Sequence, residues 1–380
     1  MIARRLEWLE SRVLMHANPV LDAEHLAVFG QRDPSTGVVT RGLVPDSSLT
    51  YISVPSATPE NWSEGSTWKY VGPAPADGST PSAIPGVGAN VLISENSVVI
   101  VDQMFPAAVH TIRDDGTLRF DPHANTLLVA DTIVVTAGGV FQMGTDPSRA
   151  DPLSLTGNGE RIDVDRRARV IFADTGAIDL AWDPLQFSRG MVSHGEVSIF
   201  GATVTSFEQL AVDAKIKDKT LVLAGTPVGW KAGDRLVLTG DTATNSKNVN
   251  RDEEVQIVSI GTTADGHTIV TITDPAVPTW AGLKNNHSVA TGYVADVSRN
   301  ATFESQNVSV VARRGHVMFM HNDEVHVDAA GFYGLGRTDK RNAIDDPVLS
   351  PDPDHPGQFT TDVINSQTGQ RVMVPVVEKT

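Results

Sequence analysis

The sequence predicts a mainly β protein: a right-handed parallel β-helix, or solenoid, preceded by an N-terminal helix and an irregular extension. Three observations point there. Val, Thr, Gly and Asp are plentiful while aromatics make up only 6% of the chain; Val and Thr favour strands, and Gly and Asp favour turns. Short apolar runs recur from residue 90 onward with Gly, Asp or Asn between them, the pattern of strands and corners. No stretch after residue 88 keeps a helical period, "FEQLAVDAKIK" (207–217) being the one moderate candidate.

The elements follow in order. In "MIARRLEWLESRVLMHA", Leu6, Leu9, Val13 and Leu14 fall on one helical face. Glu7, Glu10, Ser11 and Arg12 interrupt the apolar run that a classical export signal needs. Residues 21–84 read as linker or irregular extension, dense in Pro, Gly and Ser over 50–86. From about residue 85 come the strand runs: "NVLISENSVVIVD" (90–102), "TLLVADTIVVTAGGVFQMG" (126–144), "ARVIFAD" (168–174) and "GEVSIFGATVTS" (195–206). "KTLVLAG" (219–225), "DRLVLTG" (234–240), "EEVQIVSIG" (253–261) and "HTIVTITD" (267–274) read as further coils, followed by "NVSVVARRGHVMFMH" (307–321) and "EVHVDAAGFYGLG" (324–336). Stacked coils bury such runs against the turns above and below, at roughly 20 or more residues per coil. Hairpin dipeptides are few, "DDG" at 114–116 and "DG" at 265–266, and parallel coils do not need them.

Whole-chain properties narrow the function. With 46 acidic against 30 basic residues the net charge is −16, which argues against nucleic acid or an anionic membrane as the main partner. Cysteine is absent, and disulfides, thiolate catalysis and Cys-based metal sites go with it. No run of some 18 apolar residues is present, so no transmembrane helix is expected. "GFYGLGRTDK" (331–340) nearly fits a phosphate-binding loop through Gly331, Gly336, Arg337 and Thr338. That loop needs a helix after it, and the charged, proline-broken "TDKRNAIDDPVLSPDPDHP" cannot supply one.

The same stretch belongs to a longer pattern. "STW" (66–68), "PGVGANVLI" (85–93), "GTLRF" (116–120), "ADTIVVTAGGVFQMG" (130–144), "HGEVSIFGATVTSFEQL" (194–210), "GWKAGDRLVLTG" (229–240) and "DEEVQIVSI" (252–260) lead into "VSRNATFES" (297–305), "RRGHVMFMH" (313–321) and "GFYGLGRTDK". In order and spacing they resemble the G8 module of hyaluronan-binding and hyaluronan-depolymerising surface proteins, of fibrocystin-like proteins and of large bacterial exported proteins. Two departures stand out. Ser206 and Phe207 occupy the place where members usually carry a Trp, and the chain ends before the further β-helix coils that members usually continue into. "LEWLESRVLMHAN" is similar to the LEPR-x-LL signature at the start of very large exported bacterial proteins. The resemblance thus implies four segments: the export signature at 1–20, the extension at 21–84, a G8-like solenoid at 85–341, and at 342–380 the start of a further β region in a longer or truncated protein. It implies an extracellular or cell-surface location. Its partners would be a polysaccharide or neighbouring surface proteins.

Candidate site residues follow from the residues themselves. His316, His321 and His326 cluster near Asp328, and a His326–Asp328 pair on one strand face could orient an imidazole for acid–base work or be solvated surface. Arg337 with Asp339 and Lys340, and Arg299 with Asn300, could hold a uronic-acid carboxylate or tie adjacent coils. Arg161, Arg166, Arg167, Arg169, Arg313 and Arg314 form local basic runs that could bind an anionic polysaccharide or guard strand edges. Trp62, Trp68, Trp182, Trp230 and Trp280 show no sugar-stacking stripe, with Trp62 and Trp68 placed in the linker. No cofactor is expected; the Asp-rich corners could bind Ca²⁺, though such aspartates usually cap turns. Two functions remain: a binding module, or an enzyme cleaving a glycosaminoglycan-like polysaccharide, for which the usual two carboxylates cannot be placed.

Overall fold

The computed structural model describes residues 25–337 except 57, 155, 184, 241–250, 291, 321 and 323, together with the backbone of strands Leu349–Pro351, Phe359–Ile364 and Arg371–Val376. The chain is mainly β, in several sheets. The expected N-terminal helix and the export-like signature lie outside the described residues.

Two sheets dominate, of ten and six strands, and the chain alternates between them. Asn90–Ile93, Met104–Asp114, Thr126–Val135, Gly190–Ser193 and His316–Phe319 lie side by side in the first. Val98–Val101, Thr117–Phe120, Val140–Met143, Glu196–Phe200 and Val325–Asp328 do so in the second. All these pairings are parallel. Thr126–Val135 is shared: its first half pairs with Ala168–Phe172 and its second with Gly190–Ser193, so the first sheet forks near Asp131. Ala301–Ser305 and Ala330–Tyr333 extend the other branch.

Register explains why these runs are apolar. Val91, Ile112, Ile133, Met191 and Val317 are successive partners across the first sheet, and Val99, Leu118, Phe141, Val197 and Val325 across the second. On the fork, Leu128, Val170, Phe303 and Phe332 stand in one row, the last two rings stacked 5.5 Å apart. These rows meet in one core, where each fully buried Val, Leu, Ile or Phe contributes roughly 1.5–3 kcal/mol. All ten residues of Thr126–Val135 are buried; on the far side Leu127 and Val129 pack with Ala173, and a cluster with Val28, Phe29, Leu43, Val44 and Leu49 covers Val134 and Val192. A strand covered on both faces reads as a continuous apolar run.

Corner glycines are set by close approach. A Cβ on Gly116 would lie 2.2 Å from Ser94 O, on Gly139 2.1 Å from Asp114 O, and on Gly195 2.2 Å from Gly139 O. Each turn thus rests on the backbone of the one before, leaving no room for a side chain.

Two expectations need correction. Residues 207–296 do not continue the parallel coils. Phe207–Gln209, Thr220–Leu223, Arg235–Leu238, Glu253–Thr262, Thr268–Thr273 and Tyr293–Asp296 form a separate antiparallel sheet with its own core. "DG" at 265–266 is its hairpin turn between Glu253–Thr262 and Thr268–Thr273, and the helix candidate at 207–217 holds a strand and turns. Strand-like alternation is the same in parallel and antiparallel sheets, so the sequence could not separate them. Nor is the stretch around residues 50–70 a linker. Tyr51–Ser53 pairs in parallel with Asn90–Ile93, and Trp68–Tyr70 pairs antiparallel beside it. Trp62 is fully buried and its carbonyl accepts from Trp68 Nε1 at 2.9 Å. The Pro and Ser content hid two aromatic anchors that close the first end of the core.

Candidate functional site

The structure divides the sequence-predicted residues into separate groups. His316 starts a strand of the first sheet, and its Nδ1 lies 3.2 Å from Arg337 Nη2. Burial first, and then the Arg337 charge, push His316 down to about 4, so it is a neutral imidazole at pH 7. Arg337 donates to Ser188 O at 2.7 Å and to Gln186 O; burial and the charge of Arg189 pull it below the usual arginine value. His326 and Asp328 sit on the second sheet. His326 Nε2 lies 3.1 Å from Arg149 Nη1 and 3.3 Å from Glu324 Oε2, and Asp328 is ion-paired with Arg161. His321, Asp339 and Lys340 lie outside the described residues.

The proposed ligand-binding residues are engaged within the protein. Asn300 is buried: its Oδ1 accepts from Ala202 N at 2.8 Å, and its Nδ2 donates to Asp163 O at 2.8 Å and Arg166 O at 3.0 Å. Arg299 donates to Asp296 O at 3.0 Å, Arg313 pairs with Asp174 at 3.2 Å, and Arg314 donates to Val308 O at 2.8 Å. Arg169 makes a two-pronged pair with Glu304 on the neighbouring strand, at 3.0 and 2.8 Å. Among the described residues no three His, Asp or Glu side chains converge to hold a metal ion.

Reasoning from sequence missed a cleft of about 500 Å³ between the 25–39 segment and the corners of the parallel strands. Its walls include His25, Phe29, Arg32, Glu95, Asp115 and His194. Arg32 reaches across, with Nη2 2.7 Å from Asp115 Oδ2 and Nη1 3.4 Å from Glu95 Oε1. Asp115 is buried, held also by Arg113 Nε at 3.3 Å and by the Thr136 hydroxyl, which donates at 3.0 Å. The rings of Phe29, His25 and His194 pack together with centroids 4.6–5.0 Å apart. Asp115 was legible only as part of the turn signal "DDG", and residues 25–39 only as a connector; nothing in either stretch announces that they face each other.

Three further buried carboxyls stand out. Asp114 points into the core in register with Ile93 and Val135; burial, then the charge of Asp115, push it well above the ordinary value. Asp296 and Asp234 are both buried where the antiparallel sheet joins the parallel strands. Burial, reinforced by the Asp234 charge, raises Asp296 to about 6.

Comparison with known proteins now decides part of the assignment. Residues 77–211 match the G8 domain family. The matched stretch supplies the wall of the cleft that carries Glu95, Asp115, Thr136 and His194, while His25, Phe29 and Arg32 precede it. The chain is 26% identical to mouse fibrocystin-L over 273 residues and 27% identical to human fibrocystin-L over 226. These alignments cover 71% and 58% of this chain but only 6% and 4% of the relatives, so the chain spans a small part of their length. Among solved structures, the Gp54 tailspike of Acinetobacter baumannii bacteriophage AP22, in complex with a capsular saccharide, aligns over 58% of this chain and 29% of its own. Identity is 15% and the TM-score 0.21, a likeness too loose to bear on fold or function.

Proposed function

We propose that this chain is a carbohydrate-binding module of an exported or cell-surface protein, built on a right-handed parallel β-helix running from about residue 85 to 341, with the antiparallel sheet inserted in it. Parallel pairing of strands that alternate between two sheets supports the β-helix, and parallel crossovers are right-handed in nearly all proteins. The cleft carries the binding reading. Its size falls within the usual range for small-ligand sites, and it sets an aromatic floor beside fixed polar groups. Carboxylates and a guanidinium held in place can meet sugar hydroxyls without losing side-chain freedom on binding.

Binding is favoured over cleavage. Glu95 and Asp115 are two carboxylates on one cleft, the pair that glycoside hydrolysis requires. Asp115, however, is buried and engaged by Arg32, Arg113 and Thr136, which leaves it poorly placed to pass a proton to a glycosidic oxygen. The depolymerase alternative would instead draw on His316 and Arg337 or on His326 and Asp328. Neighbouring surface proteins are the other class of partner. Among the described residues no helix is long and apolar enough to cross a membrane.

A glycan array followed by a reducing-end release assay tests this. We expect retention of at least one glycan, loss of it in Arg32→Ala, and no release of reducing ends. Release that disappears in His326→Ala or Arg337→Ala would establish the enzyme instead.

A further inference from the structure

We propose, building on that reading, that the cleft selects neutral glycans and rejects chains bearing uronic-acid carboxylates. The observation is the charge inventory of its walls. One guanidinium, Arg32, lines the cleft and a second, Arg113, lies buried behind its wall, and both already have carboxylate partners. Arg32 bridges Asp115 and Glu95, at 2.7 and 3.4 Å. Arg113, behind the wall, is 2.7 Å from Asp46 and 3.3 Å from Asp115, and donates to Val44 O at 2.8 Å. Two carboxylates, Glu95 and Asp115, thus share Arg32 at the cleft, and behind the wall Arg113 is shared between Asp115 and Asp46.

An incoming carboxylate would have to displace Glu95 or Asp115 from Arg32, or sit beside them unpaired. Asp115 cannot withdraw, because it is buried and held from three sides. Like charges brought together in a binding site are strongly unfavourable. The whole chain, at −16, adds a repulsive field outside the cleft, though salt screens it beyond about 8 Å. The local row of charges is thus the deciding element.

The same row suits a neutral sugar. Glu95, Arg32 and Asp115 alternate acceptor, donor and acceptor, matching adjacent ring hydroxyls, each of which can donate and accept. The half-buried rings of His25 and His194, packed on the buried Phe29, line the cleft and offer a ring surface to the C–H face of a pyranose. Exposed Glu95, with its longer and looser contact to Arg32, is the residue that sets the charge preference.

The test is calorimetric titration of the full chain at pH 7.5 with tetrasaccharides of equal length. Neutral probes are the N-acetylglucosamine, glucose and mannose tetramers; anionic probes are those of hyaluronan and alginate. We expect one neutral probe to bind at least about tenfold tighter than either anionic one. Glu95→Gln should then narrow that gap, and Glu95→Lys should close or reverse it. Both substitutions are at an exposed position, and unchanged thermal unfolding would show that they fold. Hyaluronan or alginate binding as tightly as the neutral probes would overturn the selectivity while leaving the carbohydrate-binding module intact. A gap that Glu95→Lys does not change would overturn the role of the charge row. No binding by any probe would overturn both.

Discussion

Asp296 illustrates how much a single buried proton matters. An aspartate ordinarily titrates near 3.8, and in the folded chain this one titrates at about 6. The folded state therefore holds a proton that the unfolded state has released. The stability from that proton is full below the ordinary value and is lost as pH rises through 6. The loss is about 3 kcal/mol by pH 8. Asp296→Asn keeps an oxygen for the Ser298 amide, which donates to Oδ1 at 2.8 Å, and removes the charge. Urea unfolding of the variant should show a gain of roughly 2–3 kcal/mol over the parent at pH 8, shrinking to near zero by pH 4; an equal effect at both pH values would refute the assignment. Asn300 makes the opposite case. Beside Arg299 it could hold a carboxylate or tie adjacent coils, and every one of its strong bonds goes to backbone. Asn300→Ala should cost about 2–4 kcal/mol, since it strands buried amide and carbonyl groups. Glycan affinity of the folded fraction should stay unchanged, and a variant that folds normally but loses its glycan would restore the binding role.

At the scale of elements, the parallel strands work because each lies in register on the last. The corner glycines enforce that spacing. Gly195→Ala would press a methyl group against Gly139 O and Thr136 O, both backbone atoms that cannot turn aside. Thermal unfolding should show a loss of about 1–3 kcal/mol or more. Gly138→Ala, with open space around it in the same corner region, should change stability by no more than about 0.5 kcal/mol. Equal effects would mean that the turns do not rest on each other as described. The forked strand Thr126–Val135 shows how an element takes its composition from two neighbourhoods. One side meets the common core; on the other, Leu127 and Val129 pack with Ala173 and Val134 meets the cover built by residues 28–49. Its apolar run was visible in the sequence; that a segment about a hundred residues earlier shields it was not.

For the whole molecule, the antiparallel sheet is an insertion with its own core. The chain leaves and returns at one point, where Asp296 N donates to Ser206 O at 2.9 Å. Joining Ser206 to Val297 through a short glycine linker should leave the parallel sheets folded, with a single cooperative transition in circular dichroism. The cleft should bind its glycan unchanged, because none of its lining residues belongs to the insertion. Loss of sheet signal beyond the excised strands would show that the two units fold together. What the sequence settled by itself was local. Alternating Val and Thr made strands, glycines made corners, and the short motifs within 85–210 resembled the G8 module that residues 77–211 match. These depend on neighbours a few residues apart, and a sequence displays such neighbours directly. Tertiary structure alone decided which strands run parallel, that Trp62 and Trp68 are core, that Asn300 bonds to distant backbone, and that Arg32 meets Asp115 across 83 residues. Each of these depends on which distant backbones come within a few ångströms. Side-chain alternation, the same for either strand direction, carries no record of that.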